Sequence, residues 1–151
     1  MFVGFIVASL FLANAAYACR MSHAQALSSV QSVGIGIWSS HGCSDRNNPM
    51  CTSLDTITCN AINCIKVFKQ SSGCPVTITG ATETGHGNGA GLTHWNGYKI
   101  DISLNACVDN YIRRWPFIGN RGDGAAMYKA GSGNVYAREK DHWDIVFNNP
   151  C

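Results

Sequence analysis

Eight cysteines constrain this chain more than any other feature: Cys19, Cys43, Cys51, Cys59, Cys64, Cys74, Cys107 and Cys151. They follow an apolar opening segment, MFVGFIVASLFLANAAYA, that ends in the small-x-small triplet Ala16-Tyr17-Ala18. Such a segment reads as a secretory signal peptide over residues 1–18, with cleavage before Cys19. It is shorter than the ~20 apolar residues a membrane span needs, and Asn14 interrupts it. All eight cysteines then remain in residues 19–151. An even count in an exported chain predicts a disulfide framework, whose pairing spacing alone does not fix. The rival reading, a cysteine-bound zinc, is weakened because no Cys-x-x-Cys occurs. Six of the eight cysteines precede residue 75, so the amino-terminal half should be the more heavily stapled.

The remaining composition narrows the class. Hydrophobic residues make up 46% and charged residues 13%, which supplies a core and excludes a disordered chain. The net charge of +2 shows no clustered Lys and Arg of the kind nucleic acid requires. No linker or composition break divides residues 19–151, so a single domain is expected.

The apolar spacing outlines the elements. Residues 22–38 predict a helix and then an extended piece at GIGIW. Residues 39–52 read as a loop. Leu54, Ile57, Ala61, Ile62, Ile65 and Phe68 recur at helical spacing, with Thr52 or Ser53 as the cap. Strands are expected at 75–79 and 98–102. Between them lies a Gly-rich stretch from Gly80 to Leu92, long enough to suggest a working loop. Ser103 would cap a second helical pattern, from Leu104 to Trp115. Residues 125–130 and 134–139 predict a hairpin, and His142 to Phe147 a last strand. The order implies an α+β fold: a small, mainly antiparallel sheet with two or three packed helices, stapled by disulfides.

Two constellations carry chemistry. In THWNGYKIDI, His94 and Asp101 are separated by six residues; in AREKDHWDIVF, Glu139 and His142 are separated by two. A catalytic zinc keeps three protein ligands and one open position, and two imidazoles with a carboxylate suit it. His94, Asp101 and His142 are therefore the expected ligands. Glu139 is the expected general base, taking a proton from the attacking water and passing it to the leaving amine. Each half alone is a common pattern; together and in this order they are more specific.

On these residues the chain resembles the zinc peptidases of the D-alanyl-D-alanine carboxypeptidase group. The group includes phage endolysins that cut L-alanyl-D-glutamate bonds, and its fold is shared by the hedgehog signalling domain. Its signature is Ser-x-His-x-x-Gly-x-Ala-x-Asp, then Glu-x-x-His-Trp. His94, Gly97 and Asp101 match the first part, and Glu139, His142 and Trp143 the second. Lys99 replaces the small residue and Leu92 the serine, with a hydroxyl at Thr93 instead. The resemblance covers residues 75–147. It implies zinc on His94, Asp101 and His142, a hedgehog-like fold, and amide hydrolysis in peptidoglycan stem peptides. Many members carry an arginine just after the first strand; here that stretch is Gly80-Ala81-Thr82-Glu83. His86 is the best substitute donor for the developing oxyanion, a solvated loop histidine being the alternative. Arg121 and Arg138 are further candidates for a substrate carboxylate, although surface charge is the commoner role. Asp144 is either a partner of a ligand histidine or an outward strand carboxylate. Trp95 and Trp143 read as wall and packing.

The expectation is thus a secreted, monomeric zinc peptidase acting on peptidoglycan. It should bind no nucleic acid and carry no membrane span once the signal is removed. Two other classes compete with it: a non-catalytic zinc-containing binding or signalling domain, and a metal-free disulfide-rich protein.

Overall fold

The computed structural model of the protein describes residues 19–151 with the exception of Asn88. The expected signal peptide lies outside the described residues. Among these, no helix is long and apolar enough to cross a membrane.

Strand β1 (Arg20–Met21) leads into helix α1 (His23–Gln31). Ser22 caps α1 by accepting from the Gln25 N–H, and the Gln25 side chain answers to the Ser22 backbone. Strand β2 (Gly36–Ile37) occupies the GIGIW stretch. Strand β3 (Ile57–Thr58) pairs with β1, and helix α2 (Cys59–Ser72) follows. The helix begins later than the apolar spacing predicts. Thr56 sits at φ 62, a left-handed conformation no helix interior tolerates. Leu54 and Ile57 are still buried, but from a loop and a strand. Thr58 provides the cap to Ala61, and Gly73 ends the helix at φ 66. Ile62 and Ile65 are fully buried on the inner face of α2, each worth about 1.5–3 kcal/mol of apolar transfer.

Strands β4 (Thr77–Gly80) and β5 (Lys99–Ser103) flank the Gly-rich loop. Helix α3 (Ala106–Ile112) is capped by Asn105 rather than Ser103. Then come β6 (Phe117–Asn120), β7 (Ala126–Lys129), β8 (Val135–Arg138) and β9 (His142–Val146). Among the described residues the fold is α+β with three helices, as the class predicts, but the sheet is not the small antiparallel one expected. It has seven strands in the order β2-β4-β5-β9-β8-β7-β6, and it is mixed, because β2 runs parallel to β4. The size was underread because β6 is largely exposed and shows no alternation of apolar and polar residues.

All eight cysteines pair, as Cys19–Cys59, Cys43–Cys51, Cys64–Cys151 and Cys74–Cys107. The last residue of the chain is thereby fastened to α2. One buried apolar cluster runs from Ala26 to Phe147, between the helices and one face of the sheet.

The opposite face of the two central strands positions the site. Side chains alternate along a strand. Ile100 and Ile102 of β5, with Trp143 and Ile145 of β9, turn into the core. Lys99 and Asp101, with His142 and Asp144, therefore share the other face. The β5–β9 register sets Asp101 directly against Asp144.

Candidate functional site

Asp101 is the centre of the site. It is 2% exposed, and its Oδ1 has no hydrogen-bond donor among the described residues. Three imidazoles surround it. His94 Nε2 lies 3.3 Å and His142 Nε2 3.6 Å from Oδ1, and His86 Nδ1 lies 3.7 Å from Oδ2. Potential ligand atoms of His86, His94 and Asp101 all fall within 4.8 Å of one another, a group able to hold a metal ion. The structure thus brings together the four sequence-derived residues His86, His94, Asp101 and His142.

The far nitrogen of each ring fixes what the near one offers. His94 Nδ1 is 2.8 Å from the Ala81 carbonyl, which only accepts, so this nitrogen carries the proton. His142 Nδ1 donates in the same way to Asp141 at 2.7 Å. In a neutral ring each Nε2 is left with a lone pair, and both lone pairs face one anionic oxygen. That arrangement is repulsive unless a cation lies between them or a ring takes up a second proton.

Local geometry explains the spacing of the first motif. The chain turns at His94–Gly97, where the Gly97 N–H donates to the His94 carbonyl at 2.8 Å. Gly97 sits at φ +76, and a Cβ there would meet the Thr56 oxygen at 2.8 Å. No other residue fits the turn that carries His94 into β5. Gly80, paired with Asp101 across β4–β5, is also required. A Cβ on Gly80 would lie 2.7 Å from Asp101 Oδ2 and 3.2 Å from Glu83 Oε1.

Asp144 contributes a second buried carboxylate. Its Oδ2 accepts from Lys99 Nζ at 2.7 Å and Arg121 Nη1 at 2.6 Å, while Oδ1 has no donor and lies 3.6 Å from His94 Nε2. Burial alone would raise its pKa, but His94 and Lys99 hold it well below the usual carboxylate range. Burial likewise opposes a charge on His94, yet Asp101 and Asp144 outweigh it and push its pKa up to about 10. Metal-free protein therefore keeps a proton where a metal would bind.

Glu139 lines, together with these residues, a cavity of about 530 Å³. Its Oε2 is 3.4 Å from His142 Nε2, and its Oε1 accepts from Arg121 Nη2. Arg121 comes from the β6–β7 turn and also binds Asp123 through Nε and Nη2. Asp123, with the bland neighbours of a hairpin tip, is held down to about 2 by that contact. Arg138 points elsewhere, over Trp143 and toward Asp109. Trp143 is fully buried and donates to Asp109 Oδ1 at 2.8 Å, while Trp95 stacks under Arg46 at 3.6 Å. Both serve as packing.

From sequence Glu83 is, with Asp144, an alternative carboxylate to Glu139, and its part beside His86 is not foreseen. Glu83 is 1% exposed, accepts the Ser53 N–H at 2.8 Å, and lies 3.0 Å from His86 Nε2. Glu83-Thr84-Gly85-His86 repeats the Glu-x-x-His spacing of residues 139–142, which is the signal that finds it.

Comparison with known proteins returns no match, neither to a family model nor to a curated protein nor to a solved structure.

Proposed function

We propose that the protein is a secreted zinc-dependent peptidase that hydrolyses amide bonds of peptidoglycan stem peptides. The observation that carries this reading is Asp101 Oδ1, a buried oxygen without a donor, faced by His94 Nε2 and His142 Nε2. Two imidazoles and a carboxylate fit zinc in both ligand type and number. The order of the two motifs and their likeness to the D-alanyl-D-alanine carboxypeptidase group support it, and four disulfides agree with an exported protein.

His94, Asp101 and His142 would hold the ion. A bound zinc supplies Lewis acidity toward the scissile carbonyl and makes water a nucleophile near neutral pH. Glu139 accepts the proton of that water at Oε2 and delivers it to the leaving amine nitrogen. Arg121 fixes Oε1 and so keeps Oε2 turned toward His142. Burial of Asp101 and His94 keeps water away from the inner side of the site.

The test is incubation of zinc-loaded protein with purified peptidoglycan, with released fragments identified by mass. Peptide fragments are expected from the wild type. Glu139→Ala should keep its zinc and release fragments about 10²–10⁴ times more slowly. Unchanged release at equal zinc content would end this mechanism. A zinc-loaded wild type that releases nothing would favour the binding or signalling reading.

A further inference from the structure

We propose that His86, steadied by Glu83, is an additional ligand of the metal centre and binds through Nδ1. The inference rests on the metal reading above, in which the ion would then hold four protein ligands and take the attacking water as a fifth, and it gives His86 a role other than the oxyanion donor expected from sequence.

Glu83 is fixed from behind. Its Oε2 accepts from the Ser53 N–H, and both of its oxygens lie 3.1 Å from the Ala81 nitrogen. Its Oε1 is then free to take His86 Nε2 at 3.0 Å. A carboxylate only accepts, so the ring proton resides on Nε2. In the neutral ring Nδ1 has a lone pair and nothing to donate. That lone pair faces Asp101 Oδ2 at 3.7 Å, and the ring lies against His94 with centroids 4.6 Å apart.

His86 thus repeats the construction of His94 and His142: one nitrogen tied to an acceptor, the other turned toward Asp101. Carboxylate–histidine–metal pairs are built this way, with the carboxylate orienting the ring and raising its basicity. A solvated loop histidine would have no use for a buried carboxylate behind it, since burying that charge is costly. The missing Cβ of Gly80 leaves room for both Asp101 Oδ2 and Glu83 Oε1. Asp101 Oδ1, buried and without a donor among the described residues other than the His94 ring when it is protonated, calls for positive charge at the same place.

Glu83 is a positioning residue in this scheme, and Glu83→Gln reads its role directly. The carbonyl of the new amide can keep the Ser53 and Ala81 contacts, which leaves its NH2 facing His86. Nε2 must then accept, the proton moves to Nδ1, and the ligand atom is blocked. The experiment measures Zn2+ affinity of the full disulfide-bonded chain by competition with a chromogenic chelator, and the visible spectrum of the Co2+-loaded protein. Wild type, Glu83→Gln and His86→Ala are compared, with circular dichroism as the check on folding. Both variants should bind Zn2+ about 10–100-fold more weakly and show an altered Co2+ spectrum. His86→Ala removes a side chain that is one-third exposed, so it tests the ligand even if Glu83→Gln does not fold. Wild-type affinity and an unchanged Co2+ spectrum in His86→Ala would overturn the inference and leave the zinc reading intact. A wild type that binds neither ion would instead overturn the zinc reading, and this inference with it.

Discussion

Asp101 and Asp144 stand directly opposite each other on β5 and β9, both buried, and each presents one oxygen without a donor to the same nitrogen of His94. Like charges paired across a sheet destabilise it unless something neutralises them. Lys99 and Arg121 serve only the outer oxygen of Asp144. In the metal-free fold protonated His94 supplies the inward positive charge; zinc, in displacing that proton, should stabilise the fold by mass action, by about 2.7 kcal/mol at a free concentration one hundred times its Kd. Asp144→Asn, which removes half of this charge but no direct ligand of the proposed set, should weaken Zn2+ about 10–100-fold. Asp101→Asn should abolish loading. Melting curves with and without zinc, and chelator competition, measure both; equal affinity in Asp144→Asn would remove Asp144 from the site.

Proton linkage gives a second expectation. The pKa of His94 is about 10 in the metal-free fold, above its ordinary 6.5. The stability it contributes is complete below about pH 6.5 and is lost as pH rises through about 10. Metal-free protein should lose stability over that interval, and zinc-loaded protein should not lose it by this route. Zinc binding at neutral pH must also expel the His94 proton. Calorimetry in buffers of different ionisation enthalpy should find about one proton or more released per ion. Zero release would contradict the assignment of His94.

Gly80→Ala probes the space behind Asp101. Its Cβ would lie 2.7 Å from Asp101 Oδ2, so the carboxylate must shift. Gly80 lies at an irregularity of the β4–β5 ladder but not in the left-handed region, and the fold should survive. Zn2+ affinity should fall at least tenfold while the circular dichroism spectrum is kept. An unchanged affinity would show that Asp101 has slack the structure does not display.

Disulfide removal should separate the scaffold from the site. Cys64–Cys151 closes 87 residues and does not line the metal cavity. Replacing both cysteines with serine should cost about 2–5 kcal/mol of stability. Zinc affinity of the folded variant should stay within a factor of three of wild type. Denaturant titration and chelator competition on the same preparation report the two effects.

The sequence made the chemistry easier to read than the frame that holds it. His94, Asp101 and His142 could be picked out because zinc restricts ligand types. The partner across the sheet was also legible in principle: Asp144 is two residues beyond His142 and so shares its face. Pairing of the cysteines was not legible, because it depends on which residues the folded chain brings close. The start of α2 was misplaced because Leu54 and Ile57 keep helical spacing although Thr56 breaks the helix. Strand β6 escaped notice because pattern reading needs one buried face, and Phe117 and Ile118 are both exposed. Glu83 is marked by its Glu-x-x-His spacing to His86, but that spacing does not tell that it is buried. Its burial comes from Ser53, thirty residues away in sequence, and no local pattern announces such a contact.

The proposed ligands are divided between parts of the protein that open on different terms. Asp101 and His142 belong to central strands, whose amides should exchange with solvent only when the whole domain unfolds. His86 sits on a surface segment that buries little apolar area, and such segments open at small free-energy cost. Release of His86 would then open one side of the ion to solvent and chelators with the sheet intact, while His94, Asp101 and His142 still face it. Chelators should strip the ion far faster than deuterium reaches the amides of β5 and β9. The protein would hold its cargo by a hinged latch set on a fixed floor.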